Sequence, residues 1–263
     1  MLTSTRNRKL DSSTLAKLLA SAALIVIGGV LTAYVINFHA ANISSDPAHW
    51  GVLGDYFGGL LGPTLNFVVL LVVLRTMSIE KEQKAEATFF LLLDLHLKIV
   101  SEMEFIKPVY GPSGESKDEK RRVGKRALQS LYYNFSDKFS EKFGTRTNRK
   151  TAYDSASPIN EYETWYLDYQ HKLGHYFRNF YQILKFLDTS GMSHAKQKFC
   201  ADVLRAQLST YEQTLLAYNG LSRFGTKAKH LIETFGMLEH CDEELFVDGG
   251  DKTRYRDEAF LMK

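Results

Sequence analysis

The segment His171-Lys172-Leu173-Gly174-His175 sets two imidazoles four residues apart. On a helix that spacing puts them on one face, close enough to share a metal ion or an anion. Arg178, Gln182 and Lys185 continue the row at steps of three and four, so it could hold an anion or a nucleotide, or serve as a solvated or partner-facing surface. No acid stands between the two histidines, so the hydrolytic zinc arrangement of HExxH is not written here. Arg205, Gln207 and Asn219 lie beside apolar stripes and could meet across two antiparallel helices as a buried network or a ligand pocket.

A second group of charges is cationic. Between Lys117 and Lys150 eleven Lys or Arg face four Asp or Glu, densest at Lys120, Arg121, Arg122, Lys125 and Arg126. Tyr132, Tyr133, Phe135, Phe139 and Phe143 follow or interleave with them. Such a stretch attracts phosphate, whether of a nucleic acid or of an anionic lipid leaflet. It reads equally as a solvated helix face beside a linker, with the aromatic residues in the core. Arg223 and His230 stand six residues apart, a spacing that resembles the active-site motif of HEPN ribonucleases, which would make them candidate catalytic groups for RNA cleavage. No nucleophile elbow, P-loop or dinucleotide-binding glycine pattern is present. Cys200, Cys241, His194 and His240 match no zinc spacing, and neither a metal nor a cofactor is expected.

The elements that must position these residues begin with two charge-free apolar stretches, Leu18–Phe38 and Tyr56–Leu74. Each is long enough, at about 1.5 Å per residue, to cross about 30 Å of hydrocarbon. Arg6, Arg8, Lys9 and Lys17 precede the first; Arg75, Lys81 and Lys84 follow the second; the segment between carries neither Lys nor Arg. The excess of cations on the cytoplasmic side therefore predicts a hairpin in the bacterial inner membrane with both ends inside. A cleaved leader would have a shorter apolar run, and two buried core helices would seldom be this long. Gly54, Gly58 and Gly62 share one face of the second span, matched by Gly29 and Ala33 in the first. Small residues of this kind let helices approach, either within one chain or between copies.

Past the membrane the reading is all-α: a hairpin over residues 1–75, a cytosolic helical bundle over 76–241 and a mobile tail over 242–263. Helices are predicted near Ser78–Lys107, ended by Pro108, Gly111, Pro112 and Gly114, and near Ala127–Phe143. A third starts at Ser157 and Pro158, where a capping hydroxyl precedes a first-turn proline. Its apolar stripe runs Tyr162, Trp165, Tyr166, Tyr169, Leu173, Tyr176, Phe177, Phe180, Ile183, Leu184 and Leu187. A fourth runs from Ser193 with a stripe ending at Tyr218, and a last one spans about Lys227–Leu238. The net charge of +3 and two cysteines exclude a disulfide scaffold.

The blocks Leu173–Lys185, Leu204–Ser209 and Leu215–Asn219 resemble the phage abortive infection family of the AbiC type, with the resemblance running from about Trp50 to Leu238. It implies N-terminal membrane helices ahead of a helical cytosolic domain, and an antiphage role in which the infected cell is halted or killed. Partners implied on this reading are the lipid bilayer, further copies of the chain, a phage-derived or nucleic-acid trigger, and a protein from the same defence locus. The resemblance brings no settled catalytic residue; His175, Arg178, Arg205, Gln207, Tyr218 and Asn219 are candidates for a shared site.

Overall fold

A computed structural model of the protein describes residues 12–40, 42, 44–110, 116–145, 148, 154 and 157–260. The chain divides into two compact units after Lys81.

In the first unit, α1 (Ser12–Phe38) is followed by α2, which starts at Pro47 and runs without interruption to Glu102. Both helices contain a stretch long and apolar enough to cross a membrane, and no residue of either stretch is buried inside the protein. The second helix begins nine residues before the expected Tyr56. Asp46 explains this: its carboxylate accepts from the Ala48 amide at 2.9 Å, an N-terminal cap ahead of Pro47 at the first helical position. The rings of Tyr34 and Phe57 meet at 5.6 Å near the connection. None of the would-be Cβ positions of Gly28, Gly29, Gly54, Gly58 or Gly62 has a neighbour within 4 Å.

The second unit opens with the rest of α2, whose Phe89, Leu93, His96 and Val100 recur at helical spacing and are buried. The helix ends at Glu102, five residues before the expected Lys107, and a two-stranded antiparallel ribbon follows: β1 (Glu104–Tyr110) and β2 (Ser116–Val123). The pairing runs from Glu104 opposite Val123 to Tyr110 opposite Ser116, with an irregularity at Val109 and Tyr110. This corrects the expectation of a helix to Lys107 and of an unstructured basic linker. Phe105, Ile106, Val109 and Tyr110 have the side chains strands favour, but their charged partner strand, Ser-Lys-Asp-Glu-Lys-Arg-Arg-Val, carries no alternation by which to recognise it. The expected breakers Gly111, Pro112 and Gly114 lie outside the described residues.

Then come α3 (Lys125–Phe143), α4 (Ser157–Thr189), α5 (His194–Arg205), α6 (Thr210–Leu221) and α7 (Thr226–Thr234). The stripe of α4 faces the core: Tyr162, Trp165, Leu173, Tyr176, Phe180, Ile183, Leu184 and Leu187 are all buried. Phe135 of α3 closes on it with ring centroids 5.4 and 5.5 Å from Tyr162 and Trp165, Tyr218 of α6 stacks on Tyr162 at 5.8 Å, and Trp165 Nε1 donates to Asn134 Oδ1 at 2.9 Å. Such aromatic contacts add to the area they bury.

The single helix expected from Ser193 to the Tyr218 stripe is two helices. Ser209 and Glu212 form a capping box, in which the Ser209 amide donates to Glu212 Oε2 at 2.9 Å and the Glu212 amide donates back to Ser209 Oγ at 3.4 Å. That pair starts α6 and therefore ends α5. The segment after Cys241, expected to be mobile as far as it is described, is instead packed. Phe246, Val247, Tyr255 and Ala259 are buried, and three short 3-10 turns carry the chain across α6 and α7. Tyr255 donates to the Ala217 carbonyl at 2.7 Å and the Leu238 amide donates to the Ala259 carbonyl at 2.9 Å.

Candidate functional site

A cleft of about 320 Å³ lies among the end of α4, one face of α5, the end of α7 and the C-terminal segment. Its lining carries both signs of charge: Asp188, Asp202, Glu233 and Glu258 beside Lys198, Arg205 and Arg256, with His194 and Gln197. Helical spacing on α5 places His194, Lys198, Ala201 and Arg205 on the side that lines it.

Arg205 closes the cleft's inner wall, and its guanidinium is nearly all occupied. Nε pairs with Glu239 at 2.9 Å, Nη2 with Asp202 at 2.5 Å, and Nη1 donates to the carbonyls of Phe235 at 3.3 Å and Gly236 at 3.0 Å. Those carbonyls belong to the turn that ends α7, where backbone oxygens lack intrahelical donors and a cation is favoured. A buried charge persists only when paired in this way. Arg205 therefore ties α5 to the end of α7, and the outward faces of the cleft supply what could meet a ligand. Arg256 caps the opposite side, pairing with Glu233 at 2.9 Å.

The other predicted site residues lie elsewhere. His171, His175 and Arg178 are exposed along α4, and the Arg178 guanidinium folds back over Gly174 beside the Tyr166 hydroxyl. Gln207 is half-buried in the link between α5 and α6, where its carbonyl accepts from Lys125 Nζ at 2.8 Å. Asn219 is buried; its carbonyl accepts from Ser222 Oγ at 2.7 Å and its side chain meets the Tyr162 hydroxyl. Tyr218 donates to Asp251 Oδ2 and accepts from the Val247 amide, both at 2.9 Å. Arg205 lines the cleft, whereas Tyr218 and Asn219 do not line it and lie together in the core, their carbonyls both accepting from the Ser222 amide.

Arg223 is exposed at the turn before α7, held to Glu163 at 3.4 Å and lying over the Phe224 ring; His230 is exposed on α7. Neither lines the cleft. In the basic segment, Arg121 pairs with Glu104, Lys125 reaches Gln207, Arg122 is half-buried and Arg126 is exposed. Lys120 pairs with Lys107 in the ribbon register. Among the described residues no three His, Cys, Asp or Glu side chains converge as a metal ion would require.

Two titratable groups were missed by sequence reasoning. His96 of α2 is buried between the rings of Tyr176 and Phe180, with Nδ1 3.2 Å from Asn179 Oδ1 and Nε2 unpartnered. Burial lowers its pKa to about 4, so the ring is neutral. Asp251 is buried against Tyr218 and Arg254, and burial raises its pKa to about 6. Neither carries a sequence signal beyond a polar residue beside an apolar one. A further cavity of about 720 Å³ lies in the first unit near the α1–α2 connection, lined by Tyr34, Phe38, Trp50 and Tyr56 with Asn37, Ser44 and His49.

The family model described as "Putative phage abortive infection protein" matches residues 168–246. The matched stretch holds most of α4, all of α5, α6 and α7, and most of the cleft lining. The resemblance expected from the blocks in α4 and α6 is borne out over that stretch. No curated protein and no solved structure matches the chain significantly.

Proposed function

We propose that the protein is a membrane-anchored phage-defence effector of the abortive infection kind. In this reading the helical unit senses infection at its cleft, and the hairpin perturbs the bacterial inner membrane by self-association, arresting or killing the infected cell. The observation that carries it is the continuity of α2. One unbroken helix begins in an apolar span with no buried residue and ends with Phe89, Leu93, His96 and Val100 in the core of the domain that bears the family likeness. The apolar span, which carries Pro63, and the core-facing end that bears Phe89 to Val100 are therefore parts of one element.

Two further features support the reading. Apolar stretches of this length that leave no residue buried in their own chain need another apolar environment, and the charge pattern around them suits a hairpin with both ends inside. The open face of Gly54, Gly58 and Gly62 suits close approach by a helix of a second copy.

The test is membrane potential, followed with a voltage-sensitive dye during phage infection. Cells carrying the unmutated chain are expected to depolarise before lysis; cells carrying Gly58→Leu, at equal abundance in the membrane fraction, are expected to stay polarised and lose protection. Cells that stop growing while still polarised would overturn membrane perturbation, and integrity of cellular RNA would then be the quantity to follow. Full protection by Gly58→Leu would remove the glycine face from the mechanism.

A further inference from the structure

The cleft and the helix that leads to the span share one element. On the 12-residue α5 and its cap, Ser193, Lys196 and Cys200 lie on one side, while His194, Lys198, Ala201 and Arg205 lie about 130° around the axis, at ~100° per residue. The second side lines the cleft. The first side meets α2.

That meeting has two points. The Glu82 carboxylate sits at the N-terminus of α5, accepting from the Ser193 amide at 3.0 Å and from Ser193 Oγ at 2.6 Å. Unpaired amides and the helix dipole favour a negative charge at that position. One turn further along α2, the Glu86 carboxylate accepts from Lys196 Nζ in an ion pair. Glu82 and Glu86 share a face of α2, and Ser193 and Lys196 share a face of α5, so the two contacts lock in register. Ser193 would ordinarily spend its hydroxyl on capping its own helix; its side chain makes no such bond here and turns to α2 instead. The Lys196–Glu86 pair is about one third exposed on both sides, where solvent screening leaves an ion pair with little to contribute to folding. Its charges are better suited to a contact that opens than to one that holds the core together.

We propose that α5 is an autoinhibitory latch: Ser193 and Lys196 hold Glu82 and Glu86 of α2 in the resting protein, and a molecule that fills the cleft draws α5 away and frees α2. This rests on the effector reading above. The latch joins sensing to output through one short helix whose two faces do the two jobs.

Charge reversal and its repair test the latch in the full-length protein in cells. Lys196→Glu places a like charge against Glu86 and beside Glu82, and Glu86→Lys reverses the pair from the other side. Each single variant is expected to cause loss of colony formation without phage, at an expression level at which the unmutated chain is harmless. The double variant Lys196→Glu with Glu86→Lys restores the attraction and is expected to restore both growth and phage protection. Should a single variant fail to accumulate in the membrane fraction, Lys196→Met and Glu86→Gln are read by the same two measurements. Single variants that are harmless and protect fully overturn the latch. So do variants that lose protection without toxicity and are not rescued by the double exchange, because that pattern marks a merely structural contact. An unmutated chain that gives no protection defeats the effector reading instead, so the two failures are told apart.

Discussion

Glycines in the two units face opposite conditions. Around Gly54, Gly58 and Gly62 in the first unit, an added Cβ would meet open space. In the second, a Cβ at Gly220 would collide with the Tyr255 hydroxyl, and one at Gly225 with the Asn219 carbonyl. The same residue type thus serves close approach within the chain in one unit, and leaves room for something outside it in the other. Apart from its cleft, the helical unit turns inward: Gly220, Gly225, the buried Arg205 and Asp251 and the C-terminal segment all make their contacts within it. The apolar stretches of the first unit leave no residue buried in their own chain, which is what the proposed membrane hairpin requires.

The largest break in that comparison comes from cutting the closure. Ending the chain at Cys241 removes Phe246, Val247, Tyr255 and Ala259 from the core and strips Tyr218 of its partners on Val247 and Asp251. The truncated protein is expected to lose cooperative unfolding by circular dichroism, whereas a dispensable tail would leave the melt unchanged. Arg205→Ala comes next. It removes the cation that Glu239 and Asp202 share and uncaps α7, a change that costs about 3 kcal/mol, the low end for a buried pair because the Asp202 side chain is 37% exposed. A urea midpoint within error of the unmutated protein would show that the tie between α5 and α7 is not needed.

The glycines themselves sharpen the contrast at smaller scale. Gly220→Ala is expected to destabilise the fold by about 1–3 kcal/mol, the usual cost of overpacking. Gly58→Ala is expected to leave the melt within about 0.5 kcal/mol, as for exposed positions, while weakening crosslinking between copies in the membrane. Equal melts for the two, or unchanged crosslinking, would erase the distinction between a filled and an open face.

How much of this was legible in the sequence differs by element for physical reasons. The α4 stripe was read residue by residue because 3.6-residue periodicity survives over about seven turns, and the apolar stretches were read from length and lack of charge. The break between α5 and α6 was also written, in the capping box of Ser209 and Glu212, but an apolar stripe that continues in phase across it hides the signal. The β1–β2 ribbon was not legible, since its second strand has neither alternation nor β-branched residues apart from Val123. The packed C-terminal segment hides behind Gly249 and Gly250: Phe246, Val247, Tyr255 and Ala259 follow no period, because short turns place them one by one. The cleft draws its lining from residues as far apart as Asp188 and Glu258, and no local pattern announces a tertiary site of that kind.

The smallest net effect expected of the unmutated protein is that of pH on the helical unit, because it runs in opposite directions at two buried titratable groups. His96 has an ordinary pKa of 6.5, lowered by burial to about 4 in the fold. Between those values the unfolded chain takes a proton that the folded ring refuses, so stability present above pH 6.5 is lost as pH falls toward about 4. Asp251 has an ordinary pKa of 3.8, raised by burial to about 6. The folded carboxyl keeps its proton where the unfolded one has released it, so this group adds stability as pH falls from about 6 toward 3.8. In the unmutated protein the two partly offset each other. Asp251→Asn keeps an acceptor for Tyr218 and removes the titration, so urea midpoints of the detergent-solubilised protein should fall more steeply between pH 6.5 and 4 than those of the unmutated chain. His96→Leu should flatten the same limb. Parallel curves for all three proteins would mean that both groups titrate as they do in water, and that the unit is more open around α2 and α6 than its packing indicates.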